Sequence, residues 1–410
     1  MDKFIGLIGI AVIIGLAVAF STDRRAIRWS QVAWGLGLQL VLAFFILWTN
    51  VGRQFFRSLG DGVAKLLDFA NKGAEFVFGA LVTKPEIGWI FAFKVLPAII
   101  FVGALMGIAY HIGLMQAVVS FIAKIMVKTM KTSGAESLSA AGTVFVGQSE
   151  APLLIRPYLA TMTRSELNAI MTGGMATIAG SIMAAYIGML GPEWAPHLLA
   201  ASIMGAPAGL VMAKLLCPET ETPQTSGAVK LEMPRTESSI IEAAAKGASD
   251  GLHVALIVGA MLIAFISLLA LVNASFSWLG GLAGHPELSL ELLLGYVFMP
   301  LTLAMGTPWA DAQIVGSLLG QKIVLNEFVA YGNLSEILKP GGVELSKKAV
   351  TIATYALCGF ANFASVAINI GCIGGLAPER RGELAQLGLR AMVGGALASC
   401  MTATIAGILS

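Results

Sequence analysis

The sequence predicts an all-α polytopic membrane protein: eight transmembrane helices plus two re-entrant hairpins, arranged as an inverted repeat. Three observations carry this reading. Of 410 residues, 57% are hydrophobic and only 12% are charged. With a mean hydropathy of +0.81, that balance belongs to bilayer-spanning chains rather than soluble domains. Long apolar runs recur along the chain, and a backbone in lipid must satisfy its own polar groups. Two apolar regions are interrupted by acidic stretches, Gly147-Gln148-Ser149-Glu150-Ala151-Pro152 and Asn326-Glu327-Phe328. A carboxylate at membrane depth costs several kcal/mol unless it faces protein or water, so each is a candidate functional group.

Composition also argues against other classes. A net charge of +2 and the lack of a basic stripe interleaved with aromatics leave no footprint for a nucleic-acid partner. Cys217, Cys358, Cys372 and Cys400 lie in or beside apolar runs, form no CxxC pair and read as packing residues. His111, His197, His253 and His285 are far apart and show no metal-ligand spacing. No cofactor is expected. The 47 glycines suit helices whose backbones approach closely.

Taken in order, residues 4–20 form an apolar run whose arginines, Arg24 and Arg25, follow it rather than precede it. This is a retained first span with its N-terminus outside, not a signal peptide. A second span covers about 31–50. Residues 51–86 alternate Arg53, Arg57, Lys65 and Lys72 with Asp61, Asp68 and Glu75, too polar to span, and read as a surface helix. A third span at about 88–115 leads into Lys124, Lys128 and Lys131 at near-helical spacing, an interfacial pattern. Residues 135–163 hold two apolar arms around the Gly147–Pro152 break, each short of the roughly 20 residues needed to cross about 30 Å. They predict a re-entrant hairpin. Spans at about 166–190 and 196–217 follow, then a proline- and glutamate-rich loop at 218–238.

The second half repeats the first. An apolar run at about 241–273 carries Val258-Gly259-Ala260, echoing Val102-Gly103-Ala104. An interfacial helix at 289–305, a second hairpin at about 309–338 and spans at about 347–374 and 384–408 complete the chain. Three spans and one hairpin per repeat invert its orientation, the architecture of secondary transporters with the solute site at the repeat interface. Arg24, Arg25, Arg28, Lys124, Lys128, Lys131, Arg380 and Arg381 then share the cytoplasmic side, with both termini outside, while Lys339, Lys347 and Lys348 oppose the trend.

Other polar groups at depth have bland readings. Asn362 and Ser365 share a helix face and suit either two contacts to one polyol or helix–helix packing. Thr143, Thr177 and Ser181 read as packing hydroxyls, His253 as a satisfied core residue, and Glu136 and Asp311 as helix caps.

Gly147-Gln148-Ser149-Glu150-Ala151-Pro152-Leu153-Leu154-Ile155-Arg156-Pro157, Asn326-Glu327-Phe328-Val329-Ala330-Tyr331 and Cys358-Gly359-Phe360-Ala361-Asn362 resemble the three signature stretches of concentrative nucleoside transporters. The similarity covers nearly the whole chain. The resemblance implies a homotrimer in the bacterial inner membrane, with a static scaffold domain and a moving transport domain that carries nucleoside by an elevator-type motion. Residues 1–86 are assigned to the scaffold, 87–217 to the first repeat and 239–410 to the second. The resemblance assigns Gln148, Ser149 and Glu150 to the nucleobase, Glu327, Asn362 and Ser365 to the ribose hydroxyls, and Phe360, Ile182 and Val254 to apolar contacts, with Gly147 counted among the substrate-binding positions. It implies uridine, cytidine and adenosine as substrates.

For the coupling cation, sodium-coupled relatives use an Asn side chain, a Ser or Thr hydroxyl and backbone carbonyls. The matching positions are Thr143, Thr177 and the carbonyls of Val146 and Ile178. Thr143 stands where the Asn would be. That favours the proton, carried by Glu150 or else Glu327, with sodium as the alternative ion. The resulting expectation is cation-coupled nucleoside import. An uncoupled facilitator is the alternative, followed by an intramembrane enzyme using Glu150 and Glu327 as an acid–base pair.

Overall fold

The computed structural model describes residues 2–84, 90–226, 237–282, 284–339 and 341–410; they form helices joined by turns, with no β-strand among them. The start of the expected third span at 88, and residues 227–236 of the expected 218–238 loop, lie outside the described residues.

Helices α1 (Asp2–Ala19) and α2 (Trp29–Trp48) are apolar, and α3 (Asn50–Phe78) is amphipathic, as its charge pattern predicts. Short α4 (Ala80–Thr83) and α5 (Phe91–Lys94) lead to α6 (Leu96–His111) and the lysine-bearing α7 (Leu114–Met130). The first hairpin is α8 (Gly134–Thr143), an irregular tip, and a returning 3₁₀ helix, Ala151–Thr161. Pro152 and Pro157 explain the second arm, because proline cannot donate the backbone bond an α-helix needs. Then come α9 (Arg164–Ala176), α10 (Gly180–Leu190) and α11 (Ala195–Leu216). The second half comprises α12 (Ile240–Leu282), α13 (Leu290–Ala304), the second hairpin formed by α14 (Trp309–Val324) and α15 (Glu327–Ile337), α16 (Lys347–Leu357), α17 (Phe363–Leu376) and α18 (Arg381–Leu409).

Both hairpins fall where the sequence places them. Six of the eight expected spans contain helices long and apolar enough to cross a bilayer; the first is shorter, at Ile5–Ala19. Two expected single spans are broken. The 166–190 run is interrupted between α9 and α10, where Thr177 is extended (φ −127°, ψ 173°). The 347–374 run breaks between α16 and α17 at Gly359, whose φ of 147° only glycine adopts readily. A Cβ there would lie 2.8 Å from both the Met175 carbonyl oxygen and Ser399 Oγ.

Two capping boxes start helices of the first repeat. Ser133 and Glu136 form a capping box on α8, and Thr163 and Glu166 form another on α9. Buried Lys214 of α11 lies between them, 2.6 Å from Glu136 Oε2, and donates to Ser165 Oγ at 2.9 Å. Glu136 is therefore both the expected cap and an ion-pair partner. Asp311, also expected as a cap, accepts from Ser346 Oγ at 2.6 Å and ties the second hairpin to the start of α16.

Packing separates two bodies. Helices α9, α10, α11 and α18 are almost wholly buried, whereas α6 and α12 are mostly exposed and pack chiefly on each other. Glycines set that crossing: a Cβ on Gly103 would lie 2.5 Å from the Gly247 carbonyl oxygen. Helices α1 and α2 pack on α11 and α18. Helices α6 and α12 thus stand apart from the bundle that α1 and α2 join. The expectation for His253 is corrected: it lies exposed on the outer face of α12, not in a core.

Candidate functional site

Three backbone breaks meet inside the bundle: the two hairpin tips and the turn between α16 and α17. At the second tip, Asn326 is extended and caps α15, its Oδ1 accepting from Val329 N–H at 2.9 Å. This places Glu327 at the first helical position, where the helix dipole favours a carboxylate. Glu327 is buried and accepts from Asn362 Nδ2 at 2.8 Å and Tyr186 Oη at 3.2 Å. Asn362 repeats the motif as the cap of α17, its Oδ1 accepting from Ser365 N–H at 2.9 Å.

Ser365 also faces the first hairpin. Gln148 Nε2 donates to Ser365 Oγ at 2.9 Å, and Gln148 Oε1 accepts from Asn369 Nδ2 at 2.7 Å. Thus Gln148, Glu327, Asn362 and Ser365, separated by up to 217 residues, form one connected polar surface. Phe360 and Ile182 are buried. Phe328 and Tyr331 pack on the ring of Tyr186, at 4.9 Å and 4.4 Å between centroids.

Ser149 and Glu150 are not in this network. Both are exposed at the first tip. Glu150 and Gly147 line a cavity of about 520 Å³ between the first hairpin, α6 and α12, shared with Val254, Tyr110, Lys246 and Asp250. The two hairpin carboxylates therefore have different surroundings, one open and one enclosed.

The positions expected to hold a cation lie behind the first tip. Thr177 Oγ1 is 3.0 Å from the Thr143 carbonyl oxygen and 3.1 Å from that of Gly173. Ser202 Oγ lies 3.3 Å from the carbonyl oxygens of Val144 and Ile178. Thr143 Oγ1 instead donates to Ala140 on its own helix, at 2.8 Å. Val146 is buried at the turn, its N–H donating to Gly142 at 3.0 Å. This is a neutral set of hydroxyls and carbonyls. Among the described residues, no three His, Cys, Asp or Glu side chains cluster as metal ligands.

The sequence reading did not single out Tyr186, Asn369 or Lys322. Tyr186 lies four residues after Ile182, and Asn369 four after Ser365, so helical spacing offered a signal for each. Lys322 is fully buried; its Nζ donates to the Ala356 carbonyl at 2.7 Å and to Ser399 Oγ at 2.9 Å.

Comparison with known proteins gives this geometry a family. Three family descriptions match consecutive parts of the chain: Na+ dependent nucleoside transporter N-terminus over residues 8–81, nucleoside recognition over 92–193, and Na+ dependent nucleoside transporter C-terminus over 197–407. The chain belongs to the concentrative nucleoside transporter family. It is 46% identical to YutK, an uncharacterized transporter of Bacillus subtilis, over all of both chains. It is 44% identical to sodium/nucleoside cotransporter 1 of Rattus norvegicus, covering all of this chain and 64% of that protein. The solved structure of CNTnw in an inward-facing substrate-bound state superposes with a TM-score of 0.95, at 43% identity, over 100% of this chain and 98% of that one. A concentrative nucleoside transporter is a multi-pass membrane protein that imports nucleoside coupled to a cation; it is not an enzyme.

Proposed function

We propose that the polar surface joining the three breaks is the nucleoside site of an inner-membrane symporter. The observation that carries the proposal is the enclosed Glu327–Asn362–Ser365–Gln148 network, built from both repeats. Glu327 and Asn362 supply an acceptor and an amide suited to vicinal ribose hydroxyls, and Ser365 supplies a hydroxyl. Gln148, with Ser149 and Glu150 across the tip from Gly147, reads the base of uridine, cytidine or adenosine. Phe360, Ile182 and Val254 provide apolar contact. Competition by 2′-deoxyuridine and 3′-deoxyuridine tests the ribose assignment. Both should compete at least about tenfold less well than uridine, because each leaves a buried partner unpaired. Equal competition would remove that assignment.

The separation of α6 and α12 from the bundle supports an elevator-type motion, with this pair as the scaffold and as the contact surface of a homotrimer. Both termini are placed outside.

For the coupling ion we favour the proton. The supporting observation is Thr143, whose hydroxyl turns back to Ala140 where sodium-coupled relatives carry an Asn side chain. Glu150, open to the cavity, is the first candidate carrier, and Glu327 the second. Sodium is the second reading. It is favoured by the family description and the rat relative, and by the oxygens gathered around Thr177 and Ile178. A hydroxyl that donates to a carbonyl keeps lone pairs for a hard cation.

A further inference from the structure

The Ser365 peptide group touches amides on two sides of the solute surface. Its N–H donates to Asn362 Oδ1 at 2.9 Å, and its carbonyl accepts from Asn369 Nδ2 at 3.0 Å. A peptide N–H can only donate, and a peptide carbonyl can only accept. The chemical identity of the facing atom is therefore dictated in both cases. Asn362 must present its oxygen to Ser365 and its nitrogen to Glu327. Asn369 must present its nitrogen to Ser365.

The second constraint propagates. The other hydrogen of Asn369 Nδ2 points at Gln148, at 2.7 Å, so Gln148 must offer Oε1 there. Gln148 Nε2 is then left to donate to Ser365 Oγ, at 2.9 Å. Ser365 Oγ accepts that bond and keeps its own proton for the solute. Gln148 cannot evade the constraint by swinging back. Helix α9 lies directly behind it: a Cβ on Gly174 would be 2.8 Å from Gln148 Cβ. Asn369 itself is fully buried on α17.

We propose that Asn369 is a positioning residue that fixes the donor–acceptor polarity of Gln148 and thereby sets which nucleobase edge the transporter prefers. The inference rests on the reading of Gln148 as a base contact. An amide with one orientation offers a single order of one free N–H and one free oxygen lone pair. Uracil presents an N–H beside a carbonyl oxygen, and cytosine presents a bare ring nitrogen beside an amino group. These edges are mirror patterns of donor and acceptor, so an amide held one way favours one of them. An amide free to turn through 180° serves both.

The test is initial-rate uptake of uridine and cytidine into proteoliposomes, comparing the ratio of their kcat/KM values in the wild-type chain and in Asn369→Leu. The wild type should prefer one pyrimidine nucleoside by about fivefold or more, and Asn369→Leu should bring the ratio to within about twofold of one. Rejection of 2′-deoxyuridine should not change, because Glu327 and Asn362 keep their contacts. A purely structural role would lower both rates and leave their ratio alone; that result overturns the proposal, as does a wild-type ratio already near one. If Asn369→Leu does not assemble, Asn369→Ala removes the same donor without added bulk, and the same ratio decides. Gln148→Leu separates the two levels of the argument. If it moves the ratio and Asn369→Leu does not, only this inference fails. If neither moves it, the base assignment of Gln148 fails as well.

Discussion

The two repeats place similar breaks in the bundle but solve the polar problem differently. In the second repeat the tip carboxylate, Glu327, is enclosed by two donors, and the oxygens near the α16–α17 break are held by the buried ammonium of Lys322. In the first repeat the tip carboxylate, Glu150, opens to a cavity, and the oxygens near the α9–α10 break are held only by the hydroxyls of Thr177 and Ser202. At its break the second repeat holds a fixed cation, whereas the buried Lys214 of the first repeat lies at its base, paired with Glu136. The break of the first repeat has a neutral set of oxygens, where the candidate site for an exchangeable cation lies. The lesson is that an inverted repeat can keep one architecture while dividing the labour, with one half rigid and the other responsive.

The largest expected effect of breaking this asymmetry is on stability. Lys322→Met should lower unfolding free energy by about 3 kcal/mol, because two charge-assisted bonds are lost and their acceptors stay buried. A thermal melt in detergent would measure it, and an unchanged midpoint would mean that other groups satisfy Ala356 and Ser399. Glu327→Gln comes next. Uptake should fall about 50-fold while assembly, read by size-exclusion chromatography, is retained. Normal uptake would remove the ribose role of Glu327. Glu150→Gln should cost less, about tenfold, since water in the cavity can replace part of what the carboxylate supplies. If the two variants ranked the other way, the contrast between an enclosed and an open carboxylate would not hold. The smallest effect is expected for Thr177→Val, about 1 kcal/mol from one hydroxyl-to-carbonyl bond. A much larger loss would show that the first repeat is as rigid as the second.

Much of the fold was legible because the hairpins carry local signals. Pro152, Gly147 and the acidic tips cannot continue an apolar helix, so the breaks are written in residue type. The α9–α10 break was not legible. Thr177 and Ile178 are ordinary members of an apolar run, and the extended backbone at Thr177 is held by its tertiary contact to Thr143. Which helices stand apart was equally hidden: α1, α6 and α12 all have strongly apolar sequences, and only packing shows that α1 joins the bundle. In the site, Gln148, Glu327, Asn362 and Ser365 were visible as polar residues at breaks. Asn369 and Tyr186 stand at helical spacing from Ser365 and Ile182, but the partners that join them to the site, Gln148 and Glu327, lie more than 140 residues away in sequence. Lys322 showed no sign of burial, since a lysine near a helix end ordinarily reaches for water.

The central claim is that the first repeat couples nucleoside entry to a cation, and that Thr143 directs the choice towards the proton. The most direct measurement is radiolabelled uridine uptake into proteoliposomes with the membrane potential clamped, under either a sodium gradient at constant pH or a proton gradient without sodium. The account predicts uphill uptake with the proton gradient alone. Uphill uptake with sodium alone would contradict the proton assignment and return the cation to the oxygens around Thr177 and Ile178. Accumulation under neither gradient would contradict coupling through this site.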